Sequence, residues 1–239
     1  MRIREFLKES FVDYAGKISA VVFSPDCNYK CPACHAMVLL TSNGKRSEEE
    51  FFDYLDSKKG WIEGIVLGGG EPTLEPGLAD FARKLKERGL AVKLDTNGSN
   101  PEVLLELKRG GIIDYVAMDV KAPRELYETI TGISGINLQN IEESLQIVSE
   151  FPDYEFRTTI APVIRKEIEF MTPKEVGNIA KWIVKVTGDS IHRYYLQPFV
   201  PRQGELIDPR LEEFPETPKD LMEKAHREAI KYLSNCKIR

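Results

Sequence analysis

Long apolar stretches, an excess of basic charge and abundant cysteine are all missing from this chain, and each absence removes a class of protein. The longest apolar runs, such as Ile18 to Phe23, fall far short of the roughly 20 residues that cross a bilayer. Met1 to Ser10 alternates charged and apolar residues and lacks the apolar centre of a signal peptide. A soluble, cytoplasmic protein with no membrane association is expected. The 33 basic residues are outnumbered by 38 acidic ones and spread without any basic tract, so nothing points to nucleic acid. Only four cysteines occur, too few and too unevenly placed for a disulfide framework in a reducing compartment.

What is present is a single α/β pattern. With 239 residues, 42% of them hydrophobic, the chain is long enough for one large domain with a substantial core. Short apolar runs alternate with amphipathic stretches. Strands are expected at Ile18–Phe23, Ile62–Leu67, Leu90–Asp95, Ile112–Val120, Tyr154–Ile160 and Arg193–Gln197. Between them lie helices at Ser47–Ser57, Pro76–Gly89, Pro101–Lys108, Leu138–Glu150 and Pro173–Val186. Ser47-Glu48-Glu49-Glu50 reads as an N-cap with an acidic first turn.

Strands separated by helices of this length imply a parallel sheet with helical crossovers. Six units suit either an incomplete (β/α) barrel or an open doubly wound sheet. The Gly-rich and polar residues fall just after the strands' C-terminal ends, where both architectures build their sites. After Pro201 the pattern weakens, and a last helix is expected over Pro218–Leu233. One domain is expected, with residues 1–205 as its core and 206–239 as a helical extension.

Three of the cysteines form a compact set. Cys27, Cys31 and Cys34 have the spacing C-x3-C-x2-C on a loop after the first expected strand, whereas Cys236 lies alone near the C-terminus and reads as a bystander. Such a loop can wrap three thiolates around one corner of an iron–sulfur cubane, which is usually held by four cysteines. Three leave an iron with an open position. The competing reading is zinc, for which Cys34-His35 would complete a Cys3His set. Adjacent residues on a short loop have difficulty reaching one ion, but spacing alone leaves both readings open.

The motifs that follow resemble those of the radical S-adenosylmethionine superfamily, whose hallmark is this cysteine loop. Gly69-Gly70-Glu71-Pro72 is similar to the family's GGEP segment. Asp95-Thr96-Asn97-Gly98 and Asp119-Val120-Lys121 are similar to the DTNG and D-x-K segments of the glycyl-radical-enzyme activase branch. Tyr154 to Thr159 and Leu196-Gln197-Pro198-Phe199 most resemble the branch that activates the anaerobic ribonucleoside-triphosphate reductase. The resemblance runs from about Val12 to Glu205 and implies a partial (β/α)6 TIM-like barrel of the radical SAM type.

It also implies the chemistry. Cys27, Cys31 and Cys34 would hold a [4Fe–4S] cluster whose open iron binds S-adenosylmethionine. Gly69, Gly70, Glu71, Pro72, Asp95, Asn97, Asp119, Lys121, Arg157 and Gln197 would line the cofactor site, with Glu71 facing the methionine ammonium. Asp95 and Asp119 would have a monovalent cation beside them. Reductive cleavage would yield a 5′-deoxyadenosyl radical with no side chain acting as acid or base. The implied partners are a glycyl-radical enzyme and a flavodoxin- or ferredoxin-type electron donor. A barrel two units short would leave a lateral opening for a protein substrate. A small-molecule substrate, as in the 7-carboxy-7-deazaguanine synthase-like branch, and a non-enzymatic metal-binding module are the alternatives. Two positions depart from the family pattern. Ala33 replaces the aromatic that packs on adenine, leaving Tyr29 or His35 for that contact, and Val200 stands where formate-lyase activases carry histidine.

Overall fold

The computed structural model describes residues 1–35 and 46–239. Eight strands form one sheet in the order β1-β2-β3-β4-β5-β6-β9-β10. They are β1 (Glu5–Ser10), β2 (Ser19–Ser24), β3 (Gly64–Gly69), β4 (Ala91–Thr96), β5 (Tyr115–Asp119), β6 (Tyr154–Ile160), β9 (Tyr194–Pro198) and β10 (Cys236–Ile238). Only β1 runs antiparallel to its neighbour, and every other pairing in this sheet is parallel. The crossovers are α1 (Glu48–Ser57), α2 (Leu78–Glu87), α3 (Pro101–Gly110), α4 (Tyr127–Thr131), α5 (Leu138–Val148) and α6 (Pro173–Thr187), and α7 (Lys219–Ala229) precedes β10. A small antiparallel hairpin, β7 (Pro162–Ile164) and β8 (Ile168–Phe170), follows β6. The six expected strands are β2, β3, β4, β5, β6 and β9, and they form the partial barrel that the strand–helix alternation implies.

Helix boundaries follow local chemistry. Ser47 caps α1 by accepting the Glu50 backbone N–H, and Thr172 with Glu175 forms a full capping box on α6. Gly111 and Gly188 end α3 and α6 in the left-handed conformation that glycine adopts without Cβ strain.

The strands' alternation sorts residues onto two faces. Ala20, Val22, Ile65, Leu67, Val92, Leu94, Val116 and Met118 pack outward against the helices in the main core. The alternate positions face the barrel interior, where Val21, Val66, Tyr115 and Ala117 cluster with Tyr14. By the same parity Lys93, Asp95, Asp119, Glu155, Arg157 and Gln197 also point inward, so the lumen is apolar near β2 and charged toward β6.

Four strands escape the sequence reading: the short hairpin β7–β8 and the two outer strands of the sheet. The charge–apolar alternation of the N-terminus is β1, whose Phe6 ring packs edge-on against Phe51 and tilted against Tyr54, at centroid distances of 5.1 and 5.6 Å. The tail beyond residue 205 contributes α7 but also β10, so it is not purely helical. The tail's Arg239, itself exposed, grips buried Glu155 through Nη1 and Nη2, at 2.8 and 2.9 Å. Among the described residues no helix is long and apolar enough to cross a membrane.

Candidate functional site at the carboxyl rim

The cysteine loop leaves β2 through Asp26, whose φ of 57° makes it the one non-glycine residue in left-handed backbone among those described. Its carbonyl accepts the Glu71 N–H at 2.8 Å, and a Cβ on Gly70 would lie 1.7 Å from that oxygen. Only glycine permits this approach. The glycine run is therefore required by the cysteine loop itself, whatever else it binds.

The loop is fastened at three further points. The Lys30 N–H donates to the Thr131 carbonyl at 2.8 Å, where Gly132 at the end of α4 leaves room for the Lys30 carbonyl. On its other side the Ile207 and Asp208 N–H groups donate to the Cys34 and Pro32 carbonyls at 3.2 and 3.1 Å. Ala33 packs against a small cluster of Phe199, Leu206 and Leu211. The segment after β9 thus clamps the cysteine loop. No sequence motif announces this.

Cys27, Cys31 and Cys34 face a cavity of about 250 Å³ with Tyr29, Gly69, Gly70, Glu71, Asp95 and Asn97. Burial pushes the Cys31 thiol up to about 11 and raises that of Cys27 as well. Three thiolates in this setting call for a positively charged centre. His35 does not join them. Its Nε2 lies 2.8 Å from the Val200 carbonyl oxygen and its ring stacks on Phe199. Among the described residues no three His, Cys, Asp or Glu groups converge as ligands of one ion must. Thiolates of a cubane attach to different irons and need not converge, so the arrangement fits a cluster better than Cys3His zinc.

A second cavity of about 380 Å³ adjoins the first and runs past Ala33, His35 and Gln197 to Val200. Both cavities share Cys31, Cys34, Asp119, Lys121 and Arg157. At this junction charges alternate. Lys121 Nζ lies 2.7 Å from Asp119 Oδ2, Arg157 Nε lies 2.9 Å from Asp119 Oδ1, and Arg157 Nη1 lies 3.2 Å from Asp95 Oδ2. Lys93 completes the chain 3.0 Å from Asp95 Oδ1. Burial alone would raise the Asp119 carboxyl, but Arg157 and Lys121 hold it well below the carboxylate range. The same pairings outweigh burial and keep Lys121 and Arg157 charged.

Between Asp95 and Asp119, the acids beside which the resemblance puts a monovalent cation, the Arg157 guanidinium pairs with both carboxylates. Three cations against two carboxylates leave one net positive charge at the junction.

Glu71 is almost fully buried. Its Oε1 accepts from the Thr73 N–H, Thr73 Oγ1 and Thr96 Oγ1, and its Oε2 accepts from the Asn97 N–H at 2.7 Å. It joins the glycine turn to the loop after β4. Of the ten residues that the resemblance assigns to the cofactor, nine line the two cavities. Pro72 instead begins a buried 3-10 turn, Pro72–Leu74. Lys93 escaped the sequence reading, although its place two residues before Asp95 puts it on the same strand face. Tyr29 lines the smaller cavity and His35 the larger. Cys236 aligns with Tyr194 at the amino end of the sheet, away from the other three cysteines.

The fold and this rim define an enzyme of the parallel-barrel type with its chemistry gathered at the strands' carboxyl ends. The family model described as the Radical SAM superfamily matches residues 21–183, and the chain belongs to that superfamily. It is 32% identical over 236 residues to the "Putative glycyl-radical enzyme activating enzyme MJ1227" of Methanocaldococcus jannaschii, covering 96% of this chain and 92% of the relative. The tungsten-containing aldehyde ferredoxin oxidoreductase cofactor-modifying protein of Pyrococcus furiosus is 27% identical, over 74% of this chain and 51% of its own. Among solved structures, Streptococcus suis SuiB bound to S-adenosylmethionine superposes with a TM-score of 0.63 at 11% identity, covering 92% of this chain and 51% of SuiB. Methylornithine synthase gives 0.62 at 16% identity, over 92% of this chain and 63% of the synthase. The chain spans about half the length of the Pyrococcus protein and of SuiB. Membership in the family implies a [4Fe–4S] cluster and S-adenosylmethionine.

Proposed function

We propose that this protein activates a glycyl-radical enzyme, namely the anaerobic ribonucleoside-triphosphate reductase. The end-to-end similarity to a glycyl-radical activating relative carries this reading, because it covers nearly all of both chains. The reductase as target rests on the segments Tyr154 to Thr159 and Leu196 to Phe199.

Cys27, Cys31 and Cys34 would hold the cluster, three thiolates where four are usual, which would leave room for S-adenosylmethionine. Such a cluster would supply the single electron for reductive cleavage of S-adenosylmethionine to methionine and a 5′-deoxyadenosyl radical, the species that would abstract hydrogen from the partner's glycine. The chain's own residues bind, orient and exclude water. The edge of Gly69 and Gly70 offers backbone to the amino-acid part of the cofactor. The net positive junction of Lys121 and Arg157 attracts its carboxylate. Gln197 and His35 line the larger cavity, which takes the adenosyl part, with Ala33 leaving the room that an aromatic would fill. No side chain need act as acid or base, in keeping with a rim whose two carboxylates are both ion-paired.

The electron comes from a flavodoxin- or ferredoxin-type donor. Incubating the reduced, reconstituted protein with S-adenosylmethionine and the anaerobic reductase tests the reading. A protein-based glycyl radical signal on the reductase is expected. 5′-Deoxyadenosine formed without any such signal, with the reductase or another glycyl-radical enzyme, would turn the proposal toward a small-molecule substrate.

A further inference from the structure

We propose that Asn97 donates an N–H···S hydrogen bond to the Cys27 thiolate and so raises the reduction potential of the cluster. This rests on the reading that Cys27 is a cluster ligand. The resemblance places Asn97 among the cofactor-binding residues, but its polar groups are otherwise engaged. Its N–H donates to Glu71 Oε2 at 2.7 Å, and its Oδ1 accepts the Ser99 N–H at 2.9 Å. The second bond is an Asx turn, and it settles which way the side-chain amide points. Nδ2 is thereby aimed at the cysteine loop, 2.9 Å from Asn28 Oδ1 and 3.8 Å from Cys27 Sγ. The latter distance is within the longer reach of a hydrogen bond to sulfur.

Asn97 is buried, and Cys27 is half-buried at the cavity edge. Asn97 is held from two directions, by Glu71 below and by the turn behind. The Tyr29 N–H donates to the same sulfur at 3.4 Å, so Cys27 sits between a backbone donor and a side-chain donor. Hydrogen bonds to cluster sulfurs stabilise the more negative, reduced state and move the potential upward. Glu71, one residue contact away, pulls in the opposite direction. Asn97 lies where it offsets that carboxylate, which gives the loop after β4 a role in making the cluster reducible by a biological donor.

The test is a redox titration of the anaerobically reconstituted protein, following the cluster signal in wild type, Asn97→Ala and Asn97→Ser. Serine retains an oxygen for the Ser99 N–H and keeps the turn, but is too short to reach Cys27. Asn100→Ala serves as the control, because Asn100 Nδ2 bonds Thr73 Oγ1 at 3.0 Å rather than a thiol. Both Asn97 variants should show a lower midpoint, with the reduced-to-oxidised ratio at fixed potential down about tenfold, or about 59 mV for one electron. The Asn100 variant should titrate as wild type. Loaded Asn97 variants with an unchanged or higher midpoint would overturn the tuning role while leaving the activase reading intact. Variants that fold yet load no cluster would do the same, making Asn97 a structural support. A wild-type protein that binds no cluster would overturn both.

Discussion

Arg157 on β6 places Nε 2.9 Å from Asp119 Oδ1 and Nη1 3.2 Å from Asp95 Oδ2, so one guanidinium joins the ends of three neighbouring strands. Its planar fork reaches two carboxylates at once, which a lysine ammonium cannot do. Replacing Arg157 by Gln leaves Asp119 with Lys121 and Asp95 with Lys93, and destabilises by about 3 kcal/mol. Arg157→Lys should recover less than half of that loss. Denaturant titration of the three proteins checks both values.

The Asp119 carboxyl is held below its ordinary value, and this fixes how stability depends on pH. A depressed folded-state pKa contributes stability that is fully present above the unfolded value, roughly 3.9, and lost as pH falls through the folded value. The stability difference between wild type and Asp119→Asn should be constant from about pH 5 to 8 and shrink below about pH 4. Thermal melts across that range would show it. A difference that instead grows toward acid pH would contradict the ion pairing.

Gly70 and Gly110 make opposite expectations from the same substitution. A Cβ at Gly70 would collide with the Asp26 carbonyl, whereas at Gly110, in the last turn of α3, it meets only Ile112 at ordinary distance. Gly70→Ala should displace the cysteine loop and abolish iron binding after reconstitution. Gly110→Ala should leave iron binding unchanged and stabilise by about 0.5–1 kcal/mol. Iron analysis and melting temperatures settle both.

The cysteines should divide three to one. Serine at Cys27, Cys31 or Cys34 should each remove the cluster, measured as iron and sulfide per chain. Cys236→Ser should keep the full complement, because Cys236 is buried at the amino end of the sheet. Its cost is about 1 kcal/mol of stability.

Arg239 tests the closure of the sheet. Its two bonds to Glu155 anchor β10, and Glu155 otherwise has Tyr115 at 2.6 Å. Arg239→Ala should lower stability by about 2 kcal/mol, less than for a pair buried on both sides, because Arg239 is 44% exposed. Reconstituted iron content should not change.

The parallel core was legible because its strands are short, apolar and punctuated by Gly, Pro and Asn, as at Ser24-Pro25 and Thr96-Asn97-Gly98. The rim motifs were legible because each closes a strand. The two outer strands were not. β1 is half exposed and reads as mere charge alternation, and β10 has only three residues, Cys236–Ile238, too few for a period. The loop clamp by residues 207 and 208 is made by backbone groups, which carry no residue signature. Roles within the rim shifted for a similar reason. Glu71 and Asn97 look like ligand contacts in the sequence, and only the hydrogen-bond partners show that each also builds the loop that carries Cys27.

The most direct measurement is the electron paramagnetic resonance spectrum of the anaerobically reconstituted, reduced protein with and without S-adenosylmethionine, together with assay of 5′-deoxyadenosine. A [4Fe–4S]⁺ signal that changes when S-adenosylmethionine is added, with 5′-deoxyadenosine released, is the expected result. Protein that retains zinc in place of a cluster and releases no 5′-deoxyadenosine would contradict it.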